Sequence, residues 1–187
     1  FARAMRDRAA DRVHDVVRVL PPPASGGRLL DVGGAPGSYA LPLAEAGWDV
    51  TVLDLPESIG VLGDELSAGG VTAVPGDLLA GLPAGPWDAV YIGNVTHLFD
   101  ADTASDLVRR AGGTLREGGT LAVQEVVRGL SRPGHLFAVT MLLSTDAGDT
   151  HTEDDYRRWM DAAGCGVERV VELSGGDHHL MLGTRAT

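Results

Sequence analysis

Leu29-Leu30-Asp31-Val32-Gly33-Gly34-Ala35-Pro36-Gly37-Ser38 is the stretch on which the reading of this chain turns. Arg28 to Val32 is a short, mostly apolar run that reads as a buried strand. Gly33 to Gly37 reads as a tight turn, and Ser38 to Ala46 as a helix closed by Gly47. Glycine permits positive φ and lets a ligand come close to the backbone. In open α/β sheets this first crossover is where nucleotides bind.

Outward from the turn, strands and helices alternate. Asp49 to Leu53 is a second strand ending at Asp54, Glu57 to Ala68 is a helix stopped by Gly69-Gly70, and Val71 to Val74 is a third strand ending near Gly76-Asp77. A loop rich in proline and glycine, Gly81 to Pro86, leads to a fourth strand, Trp87 to Ile92. A helix over Ala101 to Leu115 and the turn Gly118-Gly119 precede a fifth strand, Thr120 to Val127. His135 to Leu143 is apolar and reads as helical. Thr152 caps a helix over Glu153 to Ala163, with acids in its first turn and Gly164 after it. Val167 to Leu173 and His178 to Thr184 are strands joined by Ser174-Gly175-Gly176-Asp177, a joint short enough to require an antiparallel hairpin. Upstream, Val13, Val16, Val17 and Leu20 recur at helical spacing. Residues 1–20 therefore read as a helix ended by Pro21, Pro22 and Pro23. The pattern predicts an α/β fold: a doubly wound, mostly parallel, seven-stranded Rossmann-like sheet with a C-terminal antiparallel hairpin.

Composition narrows the partners. The 187 residues suit one domain with a full core. Formal net charge is -11 with no dense Lys/Arg block, which argues against nucleic acid. The single cysteine, Cys165, excludes an internal disulfide, makes the cytoplasm the expected compartment, and reads as a small core residue. No apolar run reaches the ~20 residues of a membrane helix.

Asp54 follows Gly33 by 21 residues, where an acid accepts both ribose hydroxyls of a bound nucleoside. Two cofactors fit this geometry. The NAD fingerprint needs glycines at 33, 35 and 38; the residues are Gly33, Ala35 and Ser38, and Pro36 removes an amide donor from the turn. The S-adenosylmethionine pattern, acid-x-Gly-x-Gly-x-Gly, is met by Asp31, Gly33 and Gly37 with Ala35 as the departure. Ala35 lacks glycine's tolerance of positive φ, so a reshaped turn is expected. A glycine turn without a ligand is the third reading. Asp77 either accepts from an adenine amino group or bonds its own turn.

These segments resemble the core of the class I S-adenosylmethionine-dependent methyltransferases. Val52-Leu53-Asp54-Leu55-Pro56 is similar to the plant-type small-molecule O-methyltransferases and their actinobacterial relatives. Phe1-Ala2-Arg3-Ala4-Met5 resembles the start of that family's catalytic domain, and Thr152-Glu153-Asp154-Asp155-Tyr156 with Ala162-Ala163-Gly164 resembles its later motif. The resemblance implies a cofactor set of Asp31, Gly33, Gly34, Ala35, Gly37, Asp54, Leu55, Gly76, Asp77, Leu78, Gly93 and Asn94. It implies S-adenosyl-L-methionine as cofactor and S-adenosyl-L-homocysteine as product. His97, in Gly93-Asn94-Val95-Thr96-His97-Leu98-Phe99-Asp100, takes the position of the family's base. Glu125, 28 residues on, takes that of its carboxylate partner. A second acid of the family falls here on Thr150, with Asp149 beside it.

The resemblance also implies an N-terminal helical domain that dimerises and closes over the acceptor. Since the chain opens on Phe1, residues 1–25 are expected to be a linker helix left from a longer chain, and 26–187 the catalytic domain. The expected partners are a small-molecule acceptor and, with that domain present, a second copy; neither nucleic acid nor membrane is expected. Met5, Phe137, Met141 and Leu142 line an acceptor pocket or belong to the core; His97 faces the same acceptor. His178 and His179 alternate along a strand, cannot both face one site, and receive no chemistry. His14, His135 and His151 lack ligand-spaced partners, so no metal is expected.

The expected activity is O-methylation of a hydroxylated aromatic or polyketide-like molecule. Three alternatives stay open. One is a relative that binds the sulfonium without transferring methyl, like a hydroxylase or pericyclase of this fold. Another is a cofactor-binding module that needs a partner domain. The third is a dehydrogenase.

Overall fold

The structure is a computed structural model, and it describes residues 12–20 and 26–187. The strands are β1 (Arg28–Val32), β2 (Asp49–Asp54), β3 (Thr72–Pro75), β4 (Trp87–Gly93), β5 (Leu115–Glu125), β6 (Val167–Glu172) and β7 (His179–Thr184). They form one sheet in the order β3-β2-β1-β4-β5-β7-β6. The first five pair in parallel, and β7 runs antiparallel to both of its neighbours. The described part of the first helix, α1, covers 12–19. It is followed by α2 (Ala40–Glu45), α3 (Pro56–Ala68), α4 (Ala101–Gly113), α5 (Gly134–Ser144) and α6 (Glu153–Ala162).

Parallel strands covered on both faces read as apolar runs, and the two cores show why. Along β1, Leu30 and Val32 enter the core shared with Leu107, Val108 and Ala111 of α4 and Tyr156, Trp159 and Met160 of α6. Leu29 enters the opposite core, with Val16 of α1, Leu43 of α2 and Leu66 of α3. Successive strand side chains point to opposite faces, so one short strand feeds both layers. Cys165 is buried in the first of these cores. Helix α6 starts with a reciprocal cap: Thr152 Oγ1 accepts from Asp155 N at 3.2 Å, and Asp155 Oδ2 accepts from Thr152 N at 2.8 Å. Among the described residues no helix is long and apolar enough to cross a membrane.

Strand β1 has β2 on one side and β4 on the other. The chain leaves these neighbours in opposite directions, which opens a crevice at the carboxyl ends of β1 and β4. The glycine turn after β1 and Gly93-Asn94 after β4 flank that crevice.

Two boundaries differ from expectation. Helix α4 ends at Gly113, and β5 starts at Leu115 rather than Thr120. Leu115 pairs with Trp87, and the ladder then skips to Thr120 opposite Ala89. Gly118-Gly119 therefore sits in a bulge within β5, where Gly118 N and Gly119 O pair with Arg185. At the C-terminus β7 joins β5, and β6, the earlier strand of the hairpin, becomes the edge. The expected helix over 1–11, Met5 and the proline stop at 21–23 lie outside the described residues.

Leu107 is wholly buried between α4 and the sheet. Leu107→Ala should lower the unfolding free energy by about 2–5 kcal/mol, read from the denaturant midpoint at unchanged m-value. A loss below about 0.5 kcal/mol would contradict this packing.

Candidate active site

The turn after β1 is shaped by a buried acid. Gly33 leaves the strand at φ +72°, and its N–H bonds Leu53 O at 2.8 Å. A Cβ at Gly34 would stand 2.5 Å from the Asp31 carboxyl carbon, so only glycine fits over that group. Ala35 does not take positive φ, whereas Gly33 and Gly37 do. The departure from glycine at 35 therefore needs no left-handed backbone. The Ala35 N–H reaches across the crevice to Asp54 Oδ2 at 3.0 Å, and Asp54 Oδ1 accepts from Leu55 N at 2.8 Å. A carboxylate offers about four acceptor positions, so two remain for sugar hydroxyls.

Asp31 is 2% exposed, and its Oδ2 has no hydrogen-bond partner among the described residues. Burial, with the charge of Asp54 as a smaller cause, pushes its pKa up to about 8. An unpartnered buried acid beneath a glycine turn suits a cationic group. Asp77 is exposed and accepts from Leu79 N at 2.8 Å, the turn bond that was one of its two readings. Its other oxygen has lone pairs for an adenine amino group. Gly76 N bonds Asp54 O at 2.9 Å, and the Leu78 side chain borders Gly33.

Across the crevice, the loop after β4 is held by Asn94. Its φ is +58°, its N–H bonds Gln124 O at 3.0 Å, and its Oδ1 lies 2.8 Å from His178 Nε2. Burial and Arg12 hold the His178 pKa below its ordinary value, so the neutral ring donates Nε2–H to Asn94. Asp177 Oδ1 lies 3.1 Å from His178 Nδ1 at ion-pair distance but outside hydrogen-bond geometry. The sequence reading passed over His178. Because β7 is antiparallel, its start lies at the same end of the sheet as the carboxyl ends of its parallel neighbours, beside Asn94. His179 points away, to Ser131 Oγ at 3.1 Å.

The structure brings His97 and Glu125 together. Gly93 of β4 pairs with Gln124 of β5, which sets the loop carrying His97 beside the end of β5. Nδ1 of His97 lies 2.7 Å from Glu125 Oε2. His97 is 7% exposed and Glu125 is wholly buried. Burial opposes charge on the imidazole, but the attraction of Glu125 and its hydrogen bond win, and the His97 pKa is raised. Burial likewise opposes charge on Glu125, yet His97 and Thr96 hold its pKa below the ordinary value. With Nδ1 committed to Glu125, Nε2 is the ring nitrogen left to take a proton.

Of the other expected residues, Phe137 packs edge-on to the His97 ring at 5.1 Å, and Met141 of the same helix is buried. Leu142 separates from them. It is 72% exposed and borders a different cavity of about 550 Å³, with Arg128, Val139, Asp149 and His151. One step along a helix turns a side chain by about 100°, so Met141 and Leu142 cannot share a face. Asp149 is spent on Arg128 at 3.2 Å, and Thr150 Oγ1 donates to Gly134 O at 3.1 Å. Neither supplies a second carboxylate to His97.

Two measurements check these electrostatics. In Glu125→Gln the charge is lost while the burial stays, so the NMR titration midpoint of His97 should fall from above the ordinary imidazole value to below it. An unchanged midpoint would refute the pairing. Asp31 has a folded pKa of about 8, above its unfolded value. Its stabilising effect is therefore complete below the unfolded pKa and lost as pH rises through about 8. Asp31→Asn should flatten this loss in ligand-free melting curves between pH 5 and pH 9.

Comparison with known proteins bears on the family. PigF of Serratia sp. (strain ATCC 39006), an S-adenosyl-L-methionine-dependent methyl transferase, is 26% identical over 170 residues, covering 85% of this chain and 49% of PigF. Norreticuline-7-O-methyltransferase of Papaver somniferum is 26% identical over 155 residues, covering 79% of this chain and 42% of that protein. The structure of an O-methyltransferase family 2 protein from Planctomyces limnophilus DSM 3776 shares the fold at a TM-score of 0.86 and 24% identity, covering 99% of this chain and 59% of that one. The chain thus spans about half the length of the relatives it matches. A model of the methyltransferase domain matches residues 1–170, and with the glycine turn and the strand order already described, this chain belongs to the methyltransferase domain family.

Proposed function

We propose that this chain is the catalytic domain of an S-adenosyl-L-methionine-dependent O-methyltransferase that acts on a hydroxylated aromatic or polyketide-like small molecule, with His97 as general base. One observation carries the reading: a buried imidazole gripped by a buried carboxylate, at 2.7 Å, beside a glycine-turn crevice. The relatives lend support, since PigF is named for S-adenosyl-L-methionine, a solved PigF structure is described with SAH, and the Papaver protein methylates oxygen on a small molecule by its name.

The cofactor, when bound, supplies a methyl carbon on a sulfonium, an electrophile that needs only a nucleophile in line. The residues fit such a group. Asp54 has acceptor capacity for the ribose hydroxyls, with Leu55 beside it, and Asp77 for the adenine amino group, with Gly76 and Leu78 beside it. Gly33 and Gly34 let the ligand near the backbone. Asp31 lies beneath the turn as the carboxyl for a cationic group. Gly93 and Asn94 form the opposite wall.

His97 moves the proton. A phenol has a pKa near ~10 and is mostly protonated at neutral pH. Nε2 takes the proton as the oxygen attacks, and Nδ1–H stays on Glu125, which stabilises the imidazolium. A raised His97 pKa makes the ring a stronger base. Phe137 and Met141 border the acceptor on the His97 side. The longer protein is expected in the cytoplasm as a homodimer, with 26–187 as its catalytic domain and 1–25 leading in from an N-terminal domain.

His97→Ala should reduce methyl transfer from labelled cofactor to phenolic acceptors by about 10²–10⁴-fold. Calorimetry should give nearly unchanged affinity for S-adenosyl-L-homocysteine. Wild-type turnover in this variant would overturn the base assignment, and the absence of any binding heat in the parent chain would overturn the cofactor. Cofactor binding without label reaching any acceptor would favour the non-methylating reading.

A further inference from the structure

Glu125 has two oxygens, and His97 Nδ1 occupies one of them. The other, Oε1, lies 2.9 Å from Thr96 Oγ1, which lies 2.8 Å from the Tyr156 hydroxyl. The proton directions follow from the inventory of donors. A carboxylate only accepts, so Thr96 donates to Glu125. A hydroxyl has one proton, so toward Tyr156 it can only accept, and Tyr156 donates to it. The result is an unbroken chain from α6 through the loop after β4 to the end of β5. Thr96, Tyr156 and Glu125 are all wholly buried.

We propose that Thr96 and Tyr156 are positioning residues for the His97 base, their two hydroxyls holding the second oxygen of Glu125 so that the first stays on Nδ1. The inference rests on the reading of His97 as the base.

Three observations support it. Without the Thr96 hydroxyl, Oε1 keeps, among the described residues, the His97 N–H at 3.4 Å, a long bond to a group that is wholly buried. The terminal torsion of a glutamate is broad, so the bond from Thr96 helps to fix the carboxylate plane. Burial first, then the charge of Glu125, raises the Tyr156 phenol well above its ordinary value, so it remains a protonated donor. The Thr96 backbone is anchored as well. Its carbonyl lies 3.3 Å from His151 Nε2, and the His151 ring packs edge-on to Trp159 at 4.9 Å. The cap at Thr152 sets the first turn of α6, from which Tyr156 reaches inward.

Among the described residues, four other titratable groups bear on the cluster. His178, just before β7, would attract Glu125 only in its protonated form, Tyr91 from β4 feels the Glu125 charge, Asp155 acts on Tyr156, and His151 meets Thr96. None of them replaces the donor to Oε1.

The test is an NMR titration of the His97 ring in the intact chain, together with methyl-transfer kinetics. Thr96→Val keeps the shape and deletes the donor. The Glu125 carboxylate is then free to turn, its bond to Nδ1 weakens, and burial of the imidazole counts for more. The His97 midpoint should fall by about 0.5–1 pH unit, and kcat at neutral pH should fall by about 2- to 10-fold with acceptor KM little changed. Thr96→Ser should restore both. Tyr156→Phe should move both the same way by less, since it weakens the donor without deleting it. A lower melting temperature with unchanged midpoint and kcat in Thr96→Val would overturn the proposal, since a purely structural hydroxyl does that. If Thr96→Val fails to fold, Tyr156→Phe decides by the same two readouts. The titration needs no acceptor, so it separates from the base reading, which falls only if His97→Ala keeps wild-type turnover.

Discussion

The bond between His97 Nδ1 and the wholly buried carboxylate of Glu125 is the interaction on which the site depends. Removing either charge from water is costly, and an unpaired buried ion would neutralise itself. Here each partner offsets the burial of the other, at 2.7 Å. The pairing of β4 with β5 makes it possible, because it sets the residues after Gly93 beside those after Gln124. An imidazole so held offers Nε2 in one tautomer, the condition for proton transfer to begin.

The opposite wall of the crevice uses carboxylates differently. Asp54 is tied to two backbone amides and retains spare acceptor capacity. Asp31 is buried, its Oδ2 has no hydrogen-bond partner among the described residues, and it resists ionisation. A pyrophosphate beside the Asp54 carboxylate would meet repulsion, whereas a cationic group beside Asp31 would favour its ionised form. This bias favours a cationic nucleoside and agrees with the family match.

The second acid that the resemblance places near the base is absent for a visible reason. Thr150 turns to the Gly134 carbonyl, and Asp149 to Arg128 beside a separate cavity. In its absence the Thr96 hydroxyl, backed by that of Tyr156, meets the second oxygen of the remaining acid. Adding a second negative charge there would raise the energy of an already buried carboxylate, while hydroxyl donors lower it.

The order of elements, the parallel sheet, the glycine turn and the acid ending β2 were legible in the sequence, because they follow from local periodicity and from backbone needs that only certain residues meet. His97 and Glu125 were legible only through resemblance, and the pairing of β4 with β5 brings them within bonding distance. What the sequence could not show is contact across elements. Met141 and Leu142 are neighbours in the chain and face different surroundings. Thr96 and Tyr156 are 60 residues apart and share a hydrogen bond. His178 reaches Asn94 because β7 enters the sheet reversed, and the bulge in β5 depends on Arg185 from the far end of the chain. Local propensity is encoded within a few residues; register, burial and the choice of hydrogen-bond partner arise when distant segments compete for the same interior, and only the folded chain decides them.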